Sequence, residues 1–436
     1  MKNIAPYIHE QFPDQDIEFI IGNNDTDLYS YFKEHGELPD IMTVRRFSGT
    51  DAQDLQPYLM DFASYDVVSK YYSYAVEYYK DTDDEIQWLP ICAIPQTIIA
   101  NKTLFDQYGI KVPENYEEYV QVCQQFYDKG IKPYSMDLAE DWSNQEIIQA
   151  AAIGEFTSLD GIDWRNKAET SAGEIKFDDV LWIRIFSETS QFLKDSHFSK
   201  EDINVNINTG TQMFVEGKSA MFHGQPTDMQ KLQDQMDAEL IRIPYFSQTS
   251  DSSFVYMFPS LNIAFNKELE KNQEKLDTAL GVLDCMISEQ GQKLIADGSG
   301  VISLNTDVPS MMQNVPGLEE EIKDTSIYIR YSAQKSFDAS LEAVHGLLSG
   351  KMDEMQAYNA FRSAMNSKDS KEKSTVNFEN EYSILLTDTT KSILKKINPK
   401  CAIEQIGDTT LSSAWIAAMS NGQQPSAPED YIEVEK

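Results

Sequence analysis

Residues 86–134 read IQWLPICAIPQTIIANKTLFDQYGIKVPENYEEYVQVCQQFYDKGIKPY. The apolar run Ile91–Ala100, flanked by Pro90 and broken by Pro95, suits a buried strand better than a surface helix. Asn101 then opens a short helix, LFDQYG, that stops at Gly109. Pro113 and Asn115 open a second helix at YEEYVQVCQQFYDKG. A strand that leaves one sheet and at once starts a helical lobe is what a two-lobed protein needs at its crossover.

Upstream, the chain reads as a helix (IAPYIHEQF), a strand (IEFIIG), a polar turn (NNDTD), a helix closed by Gly36 (LYSYFKEHG) and a strand entered through Pro39 (DIMTV). This alternation points to an α/β architecture with strand ends at Ile21–Asn24 and Val44–Phe47. In open α/β sheets ligands collect at the carboxyl ends of strands, so both ends are cleft candidates. Downstream of residue 366, NSKDSKEKSTVN reads as a polar linker. Beyond it, EYSILLTDTTKSILKKI and TTLSSAWIAAMS read as two short helices of a small extra C-terminal segment, a packing module or spacer.

A chain of 436 residues fits two or three domains, and 41% hydrophobic residues with 11% aromatics are ample for burial. The net charge of −35, from 71 acidic and 36 basic residues, excludes nucleic acid and anionic lipid surfaces as partners. It fits a solubilised surface and says nothing of the ligand. Cys92, Cys123, Cys285 and Cys401 form no C-x-x-C pair and read as free thiols. The five histidines, at 9, 35, 197, 223 and 345, show no metal-ligand spacing, so neither a metal nor a cofactor is expected. No run approaches the ~20 apolar residues of a membrane span, and the N-terminus lacks the apolar core of a secretory signal. There is no G-x-S-x-G, P-loop or G-x-G-x-x-G, and a carboxylate dyad picked from 71 acids carries no weight. Catalysis is not expected, and no catalytic residue is assigned.

Five segments carry a resemblance. The crossover stretch above is similar to "lP...g...yNk.lF...Gi..P.ty.e". GELPDIMTV (36–44) fits "g..PDi" entering a strand, and FVEGKSAMFHG (214–224) fits "F..GkaAM...G". SLNIAFNKELEKNQEKLDTALGVLDCMISEQGQKLI (260–295), followed by SGVISLNTDV, fits a return crossover with its helix. SIYIRYSAQKSFDASLEAVHGLLSGKMDEMQAYNAFRSAM (326–365) fits the terminal helices. Together and in this order, they resemble the extracellular solute-binding proteins of ABC importers, in the maltose-binding-protein-like, sugar-binding branch of family 1.

The resemblance implies a type II periplasmic-binding-protein-like α/β fold of two discontinuous lobes joined by a hinge. Lobe one would hold residues 1–101 and 256–304, lobe two 102–255 and 305–366. Hinge strands are expected near Ala100–Asn101, Phe254–Met257 and Ser303–Asp307. It implies a monomeric, extracellular, surface-anchored lipoprotein that binds a mono- or oligosaccharide and delivers it to permease subunits. The rival is a sensory input domain of the same fold, for which the extra segment and the sequence at 225–227 speak.

Sugar clefts need aromatic faces and planar polar groups. By the resemblance, Trp142 opens a cleft helix, with Gln145 beside it; alternatively Trp142 staples that helix to the core. Phe337 stands where the family places a stacking aromatic, with Tyr331 upstream on its face, or else both pack in the core. His223 with Gly224 and Gln225 stands where the family reads "GpW", so one stacking platform is missing. Asn24 and Asp25 end the first strand, in a loop from which the family contacts ligand, or form an ordinary turn. Arg45 and Arg46 are unusual because only seven of the 36 basic residues are arginine. A guanidinium suits carboxylate, phosphate or hydroxyl pairs, and strand alternation lets one of the two face the cleft. They would then admit an acidic sugar, or else they neutralise neighbouring carboxylates. Trp88 walls or underlies the cleft, and Trp164 anchors a surface loop.

Overall fold

The computed structural model describes residues 4–20, 26–35, 38–44, 48–49, 52–81, 83–170, 174–296, 300–308, 318, 326–367, 383–386, 409–411 and 432–434. Its strands up to residue 329 are β1 (Ile17–Ile20), β2 (Ile41–Val44), β3 (Leu89–Asn101), β4 (Lys132–Ser135), β5 (Ser219–Gly224), β6 (Leu240–Ile243), β7 (Tyr245–Phe246), β8 (Ser253–Phe265), β9 (Ile302–Ser303) and β10 (Ser326–Ile329).

The apolar crossover run is β3, buried along its whole length. Its first part, Leu89–Gln96, pairs antiparallel with β8. Its last part, Thr97–Asn101, pairs antiparallel with β5 and β6. Proline has no N–H to give a ladder, so it belongs where pairing is interrupted. Pro90 sits at a register shift, and Pro95 stands two residues before the strand changes partners.

The core changes at the same place. Ile91 and Ile94 belong to a first apolar cluster with Ile41, Met42, Ile263 and the helix Gln273–Ile287. Ile98 and Ala100 belong to a second one with the helices Tyr116–Asp128 and Asp179–Asp195. On β8 the residues alternate between cores, as side chains of a strand must: Val255 and Met257 enter the first, Phe254 and Tyr256 the second. β10 runs parallel to β8 at this level, Ser326 opposite Phe254 and Ile329 opposite Met257. The protein is therefore two discontinuous α/β lobes sharing through-going strands. Val308 and Leu318, which the sequence division gives to lobe two, pack in the first core instead; the second core takes up the chain again at Tyr328.

Local signals explain the helices around the crossover. The Asn101 side chain accepts from the Leu104 N–H and caps Lys102–Tyr108, which ends at Gly109 with φ +65°. Asn115 caps Tyr116–Asp128 in the same way through the Glu118 N–H.

Two expectations are corrected. Trp164 anchors no surface loop: it lies in the helix Leu159–Thr170, buried, with its ring 4.7 Å from Trp182. The tail segments read as helices contain strands: β11 (Ser383–Leu386) pairs antiparallel with β1, and β12 (Thr409–Leu411) with β13 (Ile432–Val434). A short run with three apolar residues beside an open strand edge gains ladder hydrogen bonds that an isolated short helix cannot match. No helix among the described residues is long and apolar enough to cross a membrane.

Candidate functional site

A cavity of about 480 Å³ opens where β3 changes partners. β3 lends it Gln96, the turn after β4 lends Asp137, and β5 lends Phe222, His223 and Gly224. Trp142 and Glu146 come from the helix Asp141–Ala151, one turn apart on one face. Phe258 enters from β8, and Arg330 from the residue that follows β10. The helices Ile207–Val215 and Pro226–Gln233 supply the outer wall, including Asn208, Thr211, Asp228 and Lys231.

The inner wall is a buried charged cluster centred on Glu146. One carboxylate oxygen of Glu146 accepts from the Arg330 guanidinium, and the two side chains are 1% and 2% exposed. Its other oxygen accepts from His223 Nε2 at 2.6 Å and from Gln96 Nε2 at 3.1 Å. His223 Nδ1 faces the Tyr245 hydroxyl at 2.9 Å. Burial lowers the imidazole's proton affinity below the ordinary histidine value and raises that of the Tyr245 phenol far above its own. The neutral tautomer that fits carries its proton on Nε2, donating to Glu146, while Nδ1 accepts from Tyr245. The Arg330 guanidinium also lies 4.2 Å from the Phe258 ring. Every charge in this cluster is thus matched within the protein, as buried charges must be.

Asp137 stands apart from that cluster. Burial holds its carboxyl above the ordinary carboxylate range, and the nearby His223 is the largest opposing influence. The Trp142 indole is partly exposed and lies 6.4 Å from the His223 ring, tilted by 39°. It offers the cavity an aromatic face.

Among the residues singled out from sequence, Trp142, His223 and Gln225 line the cavity. Gln145, Tyr331 and Phe337 do not. Gln145 is buried, and its amide donates to the Tyr331 carbonyl and, at 2.7 Å, to Ser336 Oγ. It ties its helix to the segment after β10. Tyr331 is buried with its ring 5.4 Å from Trp164. Phe337 has no exposed surface. Asn24, Asp25, Arg45 and Arg46 lie outside the described residues. Trp88 is buried in the first core and borders a separate pocket of about 40 Å³ beside Tyr78.

Sequence reasoning missed Gln96, Asp137, Glu146, Phe258 and Arg330. Two signals were there to be used. Gln96 is a polar residue in an apolar run, and Arg330 is one of seven arginines, set between a strand and a helix.

Comparison with known proteins identifies the family. Residues 33–324 match the family of bacterial extracellular solute-binding proteins. The chain belongs to that family. A multiple sugar-binding protein of Streptococcus mutans is 28% identical over 134 residues, 27% of this chain and 31% of the relative's length. The matched part is thus about a third of the curated relative. A family 1 extracellular solute-binding protein from Bifidobacterium longum subsp. infantis superposes with a TM-score of 0.67 at 15% identity, covering 83% of this chain and 94% of its own. A sugar transporter from Bacillus licheniformis, solved in complex with stachyose, superposes with a TM-score of 0.59 at 14% identity, covering 83% and 95%. At such identities the likeness establishes the fold.

Proposed function

We propose that this chain captures a small solute, a mono- or oligosaccharide, by closing its two lobes around the cavity that Gln96, Trp142, His223 and Arg330 line. The observation that carries this reading is the cavity's make-up. One wall is an indole face, and the other is a buried polar cluster whose geometry is held before any ligand arrives. A pyranose offers a C–H face to the first and hydroxyls to the second. The stachyose complex of the Bacillus protein and the name of the Streptococcus relative support the choice of solute.

Trp142, His223 and Gln225 act as ligand contacts in this reading. Lobe one comprises residues 1–96 and 257–308 with Leu318, and lobe two 97–256 together with the chain from β10 to residue 366. A ligand touching both lobes stabilises the closed form, because the open form cannot make both sets of contacts. No chemistry is done to the solute. By kinship with its family, the protein works outside the cell, anchored at the surface, as a monomer that hands its solute to an ABC permease.

Titration calorimetry with stachyose, raffinose and maltose tests the reading. At least one should bind and raise the melting temperature; a hundredfold excess over Kd adds about 2.7 kcal/mol of stability. Absence of both heat and melting shift with all three sugars would sink it.

A further inference from the structure

We infer that Asp137, assisted by Gln96, makes the cavity select an uncharged, hydroxyl-bearing ligand and reject an acidic sugar. The inference rests on the saccharide reading above and adds the ligand's charge to it.

Two acceptor atoms carry the argument. Asp137 is 1% exposed and Gln96 is 1% exposed, and both line the cavity. Among the described residues nothing donates a hydrogen bond to Asp137 Oδ2 or to Gln96 Oε1. The orientation of the Gln96 amide is not arbitrary. Its Nε2 faces the Glu146 carboxylate at 3.1 Å, where an oxygen would be repelled, so Oε1 must be the atom turned elsewhere. A buried acceptor without a donor costs free energy, so native structures seldom keep one unless something else satisfies it. Hydroxyl groups of a ligand are donors of the right kind.

The charges settle which ligands qualify. Asp137, Glu146 and Asp228 face Lys231 and Arg330 among the lining residues. Arg330 is engaged by Glu146, and Lys231 stands 4.0 Å from Asp228. Among the described lining residues, Asp137 is the carboxylate with no lysine or arginine partner. A ligand carboxylate entering here would meet it at close range in a water-poor site and would bring no proton to donate. A neutral polyol satisfies both acceptors and meets no like charge. Arg330 is therefore an internal counter-ion of Glu146 and is not available as an anchor for a ligand anion.

The test uses the intact chain, titrated with stachyose, raffinose, maltose and a galacturonate trisaccharide, together with its Asp137→Asn variant. Asparagine keeps the shape and replaces one acceptor by a donor. Expected are binding of a neutral sugar by the unaltered chain and at least tenfold weaker binding of the galacturonate. Affinity for the neutral sugar should fall by roughly ten- to a hundredfold in Asp137→Asn, the range of a hydrogen bond to a charged group. The melting temperature of the ligand-free variant should hold or rise, because a structural role for Asp137 would lower it whereas removal of a buried carboxylate with one oxygen lacking a donor would not. Asp137→Ala serves as a second variant with the same expectation. Unchanged affinity in both variants, or galacturonate binding as tight as that of the neutral sugar, overturns the inference and leaves the saccharide reading standing. If the unaltered chain binds none of the four sugars, the saccharide reading itself falls, and this inference with it.

Discussion

Glu146 is the residue on which the inner wall depends, because three donors converge on its two oxygens. Removing one partner of a buried ion pair leaves the other uncompensated, at about 3–5 kcal/mol. Arg330→Met should therefore lower stability by about that much, read from the urea midpoint at unchanged slope. A loss under about 1 kcal/mol would mean the pair behaves like a surface ion pair. His223 gives a pH prediction. Its folded pKa lies below the unfolded value of 6.5 because burial disfavours the imidazolium. The unfolded chain then binds the proton first, so the stability in question is fully present above pH 6.5 and is lost as pH falls through the folded value. The groups around the imidazole are Glu146, Asp137, Arg330, Asp228 and the Tyr245 hydroxyl. Asp137 has the opposite sign, since its raised pKa means that stability is lost as pH rises through it. Melting curves of His223→Gln between pH 7 and 5 should fall less steeply than those of the unaltered chain, and parallel curves would refute the assignment. At this scale the sequence was half legible. An exposed-looking Trp142 and a histidine in a family motif could be picked out. The orientation of Gln145 toward the Tyr331 carbonyl and the pairing of Glu146 with Arg330, 184 residues away, are products of chain crossing that no local pattern encodes.

The elements were easier to read because their signals are local. Asn101 closes β3 and opens the next helix in one residue: its backbone ends the ladder with β6, and its side chain takes the Leu104 N–H at 3.1 Å. Asn101→Ala should cost about 1 kcal/mol, the usual worth of an N-cap. Gly109, at φ +65°, has nothing within 4 Å of where a Cβ would stand. The cost of Gly109→Ala is then conformational alone, about 1 kcal/mol. Denaturant midpoints of the two single variants check both, and a loss beyond about 3 kcal/mol in either would point to a packing role instead. The tail misled for a related reason. SILL has no period of its own, and what makes it a strand is the edge of β1, more than 360 residues earlier. A short apolar run takes the conformation of whatever it meets.

At the scale of the whole molecule, the question is what sets the angle between the lobes. The helix Leu159–Thr170 of lobe two sends Arg165 over Tyr78 of lobe one, at 3.9 Å from the ring centre. The same guanidinium donates to the Ile329 carbonyl and, at 3.1 Å, to that of Arg330, which also accepts from the Tyr78 hydroxyl at 2.9 Å. A short way off, Ser48 Oγ donates to the Glu169 carboxylate at 3.3 Å, again between lobes. Arg165 thus clamps the strap after β10 by its carbonyls while the Arg330 side chain reaches Glu146, so lobe angle and site geometry are set by one stretch of backbone. A cation over an aromatic ring and charged hydrogen bonds to carbonyls together supply ~2 kcal/mol or more when partly buried. If Arg165→Ala removes that much from the closed arrangement, the binding-competent population falls by up to roughly thirtyfold and apparent affinity falls with it. Small-angle scattering of the ligand-free variant should show a larger radius of gyration than the unaltered chain, and a saturating sugar should bring the two together, since ligand contacts replace the lost clamp. The site's own residues are untouched, so weaker binding and looser shape must appear together. A variant that binds as tightly and scatters identically would show that the lobes are held by the through-going strands alone, and that Arg165 only packs against its neighbours.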